Sequence, residues 1–147
     1  MPIVTTIEGR IAQVAIDRPE KRNTLSSELC KDLAREFLEL NDDTRVRSIV
    51  LCGHNNVFCA GLDIEEQLAE NTPIFNEFQK VIDALDALSK PVVAAVSGPA
   101  VSQGAAMLYH CDLVFAGEHA LFSMPGLALG QTPRYGVSLL AGKSGGY

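Results

Sequence analysis

The sequence predicts an α/β fold, and three observations carry that prediction. Short apolar runs rich in Val, Ile and Ala recur at residues 11–16, 47–53, 91–96 and 112–116, as strands would. Between them lie segments whose apolar residues repeat at helical spacing, and strands alternating with helices make a sheet covered by those helices. The composition sets the scale: 147 residues, 47% hydrophobic and 20% charged, suit one globular domain with a real core rather than two. That domain is expected to span residues 1–147.

The elements follow in order. Val4-Thr5-Thr6-Ile7, the turn Glu8-Gly9 and the alternating residues 11–16 predict a β-hairpin, which Arg18-Pro19 and the residues up to Asn23 end. Ser26 or Ser27 then caps a helix, with Glu28 in the first turn where the helix dipole favours an acid. Leu29, Leu33, Phe37 and Leu40 form its one buried stripe. Residues 47–53 make a short apolar strand. Thr72-Pro73 predicts a second helix start, an N-cap with proline at the first helical position. Phe75, Phe78, Ile82 and Leu85 face inward from that helix, and Lys80, Asp83 and Asp86 outward. Residues 91–96 read as a fully buried strand, followed by a helix over 104–110, a strand over 112–116 and an extended piece at 120–123. No internal repeat or low-complexity stretch interrupts this order.

A net charge of −6 excludes the basic face that nucleic-acid binding needs. Gly, Pro or charge breaks every apolar run before it could cross a bilayer, and residues 1–5 have neither the basic nor the apolar part of a secretory signal. A cytoplasmic protein is therefore expected. Cys30, Cys52, Cys59 and Cys111 show no CxxC spacing and sit among apolar neighbours. They are expected to be buried free thiols, with neither disulfide nor metal site.

The chemistry points to two turns of small residues. One reads Val57-Phe58-Cys59-Ala60-Gly61-Leu62-Asp63-Ile64, the other Gly98-Pro99-Ala100-Val101-Ser102-Gln103-Gly104-Ala105-Ala106. Each brings bare backbone close to a ligand and opens into a helix. Two such turns can aim two backbone N–H groups at one point, as an oxyanion hole requires. The competing account is that Gly and Ala merely permit tight corners between strand and helix.

These segments, taken in order, resemble the crotonase superfamily of enoyl-CoA hydratases and isomerases. The resemblance rests on Arg18-Pro19 with Asn23-Thr24-Leu25, Phe58 to Ile64, Lys90 to Gly98, Cys111-Asp112, and Ala120 to Pro125 with Leu129-Gly130. It covers essentially the whole chain. It implies a Clp/crotonase-type spiral of ββα units that takes an acyl-CoA thioester from fatty acid metabolism as substrate, with no further cofactor. The Leu62 N–H would form one half of the oxyanion hole and the N–H of Gln103 or Gly104 the other, together stabilising the thioester enolate. The main chain around Ala60, Asp63 and Ile64, with Asn23 nearby, would hold the CoA moiety. Arg18 and Arg22 would lie towards its phosphates. Proline at Leu62 would then abolish turnover, and alanine there would matter little. Family members continue into a C-terminal helical region, absent from these 147 residues, and assemble as trimers or hexamers.

Departures from the family's pattern matter as much. A typical hydratase carries glutamates where this chain has Ala106 and Gly126, and some isomerases carry one where it has Arg134. Arginine is always charged and cannot act as a base. The alternative to an enoyl-CoA hydratase or isomerase is thus a non-catalytic acyl-CoA-binding or assembly protein of the same fold. Glu65 and Glu66 read as solvated acids at a helix start, His110 and Tyr135 as structural, His54 as a loop histidine, and Glu118 and His119 as a surface corner.

Two rival resemblances run against particular residues. Clp-type serine peptidases resemble residues 100–105, with Ser102 in the nucleophile's place, but Ser123-Met124-Pro125 stands where their histidine would be. Residues 136–144 approach a phosphate loop, but five residues separate the glycines where four are required.

Overall fold

The computed structural model describes residues 2–144. The chain opens with the predicted hairpin, β1 (Ile3–Glu8) and β2 (Ile11–Ile16), paired antiparallel with Ile3 opposite Ile16. α1 (Ser27–Asp42) follows, then β3 (Ser48–Gly53), α2 (Ile64–Leu68), α3 (Ile74–Ala87), β4 (Val92–Val96), β5 (Pro99–Val101), α4 (Gln103–Leu108), β6 (Leu113–Ala116), β7 (Leu121–Ser123) and α5 (Val137–Ser144). A five-stranded sheet runs β1-β2-β3-β4-β6, parallel from β2 onward, and β5 pairs with β7 in a small parallel sheet beside it. This is the crotonase-type arrangement that the resemblance implies.

Local chemistry explains the element ends. Ser26 is the cap of α1: its Oγ accepts the Leu29 N–H at 3.1 Å. At α3 the start falls one residue later than proline at the first helical position would place it. Thr72 Oγ1 accepts the Ile74 N–H at 3.3 Å, and Pro73 is the N-cap in helical conformation. The stripes of α1 and α3 pack on each other and on the sheet, burying Leu29, Leu33, Phe37, Phe78, Ile82 and Leu85 with Phe58 and Leu51. Lys90 closes the far end, donating to the Leu40 and Asp43 carbonyls at 2.6 and 2.7 Å.

Two elements escape a reading by periodicity. β5 is only three residues long and begins with proline, so no pattern of alternation can form. α5 takes up all but the first residue of the segment that imitates a phosphate loop, so that segment is helical from Val137 onward.

Candidate functional site

The first corner, residues 57–64, is braced by buried polar side chains. Asn23 is fully buried; its Nδ2 donates to the His54 and Val57 carbonyls at 3.0 and 2.7 Å, and its Oδ1 accepts the Arg18 N–H at 2.8 Å. Asp63 accepts from Arg18 Nη1 at 3.0 Å and caps α2 by accepting the Glu65 N–H at 3.1 Å. Glu66 is not a free surface acid, because its Oε2 accepts both the N–H and the hydroxyl of Ser27, at 2.9 and 2.6 Å. Cys59 Sγ accepts the Gly61 N–H at 3.4 Å, and burial pushes its thiol up to about 12, so it stays a neutral packing group.

Main-chain pairing decides where the Leu62 amide points. The Leu25 N–H donates to the Gly61 carbonyl and the Asp63 N–H to the Leu25 carbonyl, each at 2.8 Å. Leu62, between them, is bridged to Leu25 but offers its own N–H to the other side. Among the described residues that N–H has no acceptor. Gly61 has φ +99°, a conformation that glycine adopts without strain.

The second corner is built by close approach instead. Cys59 and Ala100 form a parallel bridge, with the Cys59 N–H donating to the Pro99 carbonyl at 3.2 Å and the Val101 N–H to the Cys59 carbonyl at 2.9 Å. Residues far apart in sequence thus share a ladder. A Cβ on Gly104 would overlap the Cys59 carbonyl, so only glycine lets α4 seat against the first corner. A Cβ on Gly61 would lie 3.2 Å from Ser102 Cβ, Gln103 Oε1 and the Val101 oxygen, which measures how tightly the two corners meet. Ser102 holds φ +54° and ψ −118°, a strained backbone for a residue with a side chain. The N–H groups of Gln103 and Gly104, in the first turn of α4, have no acceptor among the described residues.

Beside the second corner lies a cavity of about 330 Å³. Ser102, Gln103, Ala106, Gly126 and Arg134 all line it, so the three places that lack a carboxylate surround one space. Its apolar wall includes Phe75, Met124 and Val137. Phe75 is half-buried: it packs against the core, as its helical spacing predicts, and also lines the cavity. Tyr135 also lines it; burial raises its hydroxyl above the usual value, with Arg134 pulling the other way. His110 lies outside the lining and is a strut: Nδ1 meets Asp86 Oδ1 and Nε2 the Tyr135 carbonyl, both at 2.7 Å, tying α3 to the cavity wall.

The expected CoA-contacting residues divide. Ala60 leaves its carbonyl without a donor among the described residues, Ile64 is exposed, and Arg22 is exposed with no ion pair among them. Asn23 and Asp63 are committed to bracing, and so is Arg18, whose guanidinium holds Asp63 and, at 3.2 Å, the Thr24 carbonyl. Leu62 is 2% exposed, so alanine there would open a core cavity rather than be neutral. His54 sits 3.4 Å from Asp17, and His119 and Glu118 are exposed on a surface corner. Ser102 donates its hydroxyl to Gln103 Oε1 at 2.7 Å, an amide that cannot act as a base.

Comparison with known proteins identifies the family. The family profile described as enoyl-CoA hydratase/isomerase matches residues 6–146. A short-chain-enoyl-CoA hydratase of Clostridium acetobutylicum is 35% identical over 139 residues, 91% of this chain and 53% of the relative. The 2,3-dehydroadipyl-CoA hydratase of Escherichia coli is 32% identical over 136 residues, again 91% of this chain and 53% of the relative. A crystal structure of an enoyl-CoA hydratase/isomerase from Pseudoalteromonas atlantica superposes with a TM-score of 0.90 at 32% identity, covering 98% of this chain and 57% of that one. The chain spans about half the length of the curated relatives it matches.

Proposed function

This chain belongs to the enoyl-CoA hydratase/isomerase family, and from that premise we propose that it binds the coenzyme A thioester of an organic acid and polarises its carbonyl. The carbonyl oxygen sits between the Leu62 N–H and the N–H of Gln103, with Gly104 as the neighbouring donor. One observation carries this reading: these amides have no acceptor among the described residues and belong to two corners locked together by the Cys59–Ala100 bridge. Pre-aimed donors of this kind stabilise a developing oxyanion by about 3 kcal/mol each, because they need no reorganisation when charge appears. The negative charge is that of the enolate formed when a proton leaves the carbon beside the thioester. The Ala60 carbonyl supplies an acceptor for the CoA moiety, Ile64 an apolar surface for it, and Arg22 a cation for its phosphates.

A second reading is binding without turnover. It is favoured by the cavity lining, in which no described residue is a carboxylate and only Tyr135 and Arg134 carry ionisable side chains. Calorimetry with butyryl-CoA, run beside NMR detection of α-proton exchange in D2O, separates the two. Binding with exchange supports the enolate site; binding without exchange supports the second reading; absence of binding to butyryl-CoA and adipyl-CoA alike overturns both. Leu62→Pro removes an N–H that has no partner among the described residues, so exchange, or binding if there is none, falls at least tenfold, whereas the volume-conserving Leu62→Met stays within about threefold. Equal loss in both variants, with thermal melts like the parent's, would count against the backbone donors.

A further inference from the structure

The acyl cavity contains one charged side chain among its described lining residues, Arg134, and no acid to balance it. Its guanidinium carbon lies 5.2 Å from the centroid of the Phe75 ring, which holds the group over the cavity wall by a cation–π contact. Several other cations of the chain are neutralised: Arg18 by Asp63, Lys21 by Glu65, Arg35 by Asp32, Arg45 by Asp43 and Lys80 by Glu77. Arg134 forms no ion pair with any described residue. In a chain of net charge −6, an exposed guanidinium with no ion pair among the described residues, at the edge of a cavity whose described lining holds no acid, is a local reversal of sign. Such a group recognises a carboxylate through two parallel charge-assisted hydrogen bonds, a geometry that a neutral acyl end cannot return.

We propose that Arg134 selects acyl groups ending in a carboxylate, so that the ligands of this cavity are half-thioesters of dicarboxylic acids. The inference rests on the acyl-CoA reading above and adds the acyl class to it. Arg134 is a specificity-determining residue at the far end of the acyl group, and the two corners hold the thioester end. Gln131 and Thr132, on the same wall, add neutral hydrogen-bonding groups beside it.

The test is competitive calorimetry with the whole chain and two matched pairs: glutaryl-CoA against 5-methylhexanoyl-CoA, and adipyl-CoA against 6-methylheptanoyl-CoA, in which an isopropyl group replaces the carboxylate. At 50 mM salt at least one dicarboxylyl thioester is expected to bind about tenfold more tightly than its neutral partner. That ratio shrinks as salt screens a partly exposed pair. It falls to about one in Arg134→Met and recovers in part in Arg134→Lys, which keeps the charge but not the fork. Equal affinities within both pairs, or a preference that survives Arg134→Met, overturn the inference while leaving the acyl-CoA reading standing. Failure of all four thioesters to bind overturns both.

Discussion

The two corners of the site reach one end by different means. Residues 57–64 are held by a polar clamp in which Asn23, Arg18, Asp63 and Glu66 satisfy backbone groups of neighbouring loops. Residues 98–106 are held by absence of bulk, with Gly104 letting backbone rest on backbone and Ser102 accepting a strained conformation. The first corner can be loosened by removing a partner. The second is broken by adding an atom at Gly104.

That difference predicts a ranking. Gly104→Ala should have the largest effect, because the new methyl meets the fixed carbonyl of Cys59 rather than a side chain that can swing aside. Destabilisation of about 3 kcal/mol or more is expected by denaturant titration, together with loss of thioester binding. A loss below 1 kcal/mol would mean that the corners can separate, and the comparison would fail. Asn23→Ala ranks next. It leaves the His54 and Val57 carbonyls and the Arg18 N–H without their partner in a buried place, an expected cost of about 2–3 kcal/mol. Asn23→Asp should cost at least as much as alanine at neutral pH, since it sets a buried carboxylate oxygen against the two carbonyls that Nδ2 had served. Ser102→Gly should be the smallest effect and of opposite sign. Releasing a strained φ at the expense of one hydroxyl contact is expected to stabilise by about 1 kcal/mol, a rise of about 3 °C in the melting midpoint. A fall instead would show that the Ser102 hydroxyl braces the second corner as Asn23 braces the first.

The outer rim makes a quieter contrast with the interior. Leu113, Val114 and Phe115 of β6 and Leu121 and Phe122 of β7 are exposed, with Phe115 at 66%, although they read in the sequence as ordinary strand residues. Periodicity registers that a segment is apolar and extended, but not whether anything lies on top of it.

What could be read in the sequence was local. The hairpin, the caps of α1 and α3 and the buried stripes follow from spacing and capping chemistry, and they agree with the coordinates to within a residue or so. The two corners were visible because small residues cluster there. β5 and α5 were not, since a three-residue strand shows no alternation and α5 lacks a clear apolar face. The brace around the first corner also escaped: nothing near Asn23 or Glu66 signals that each bonds a segment more than thirty residues away.

The order of strands and helices, the family and the missing carboxylates were thus determined by the sequence itself, because periodicity, turn chemistry and motif order are properties of neighbours along the chain. Only the tertiary structure decided that Ala106, Gly126 and Arg134 face one cavity, that Asp63 and Asn23 serve the scaffold, and that the Leu62 amide has no partner among the described residues. Those outcomes depend on which distant backbone groups meet, and hydrogen-bond pairing across a fold is settled by packing rather than by any short stretch of residues.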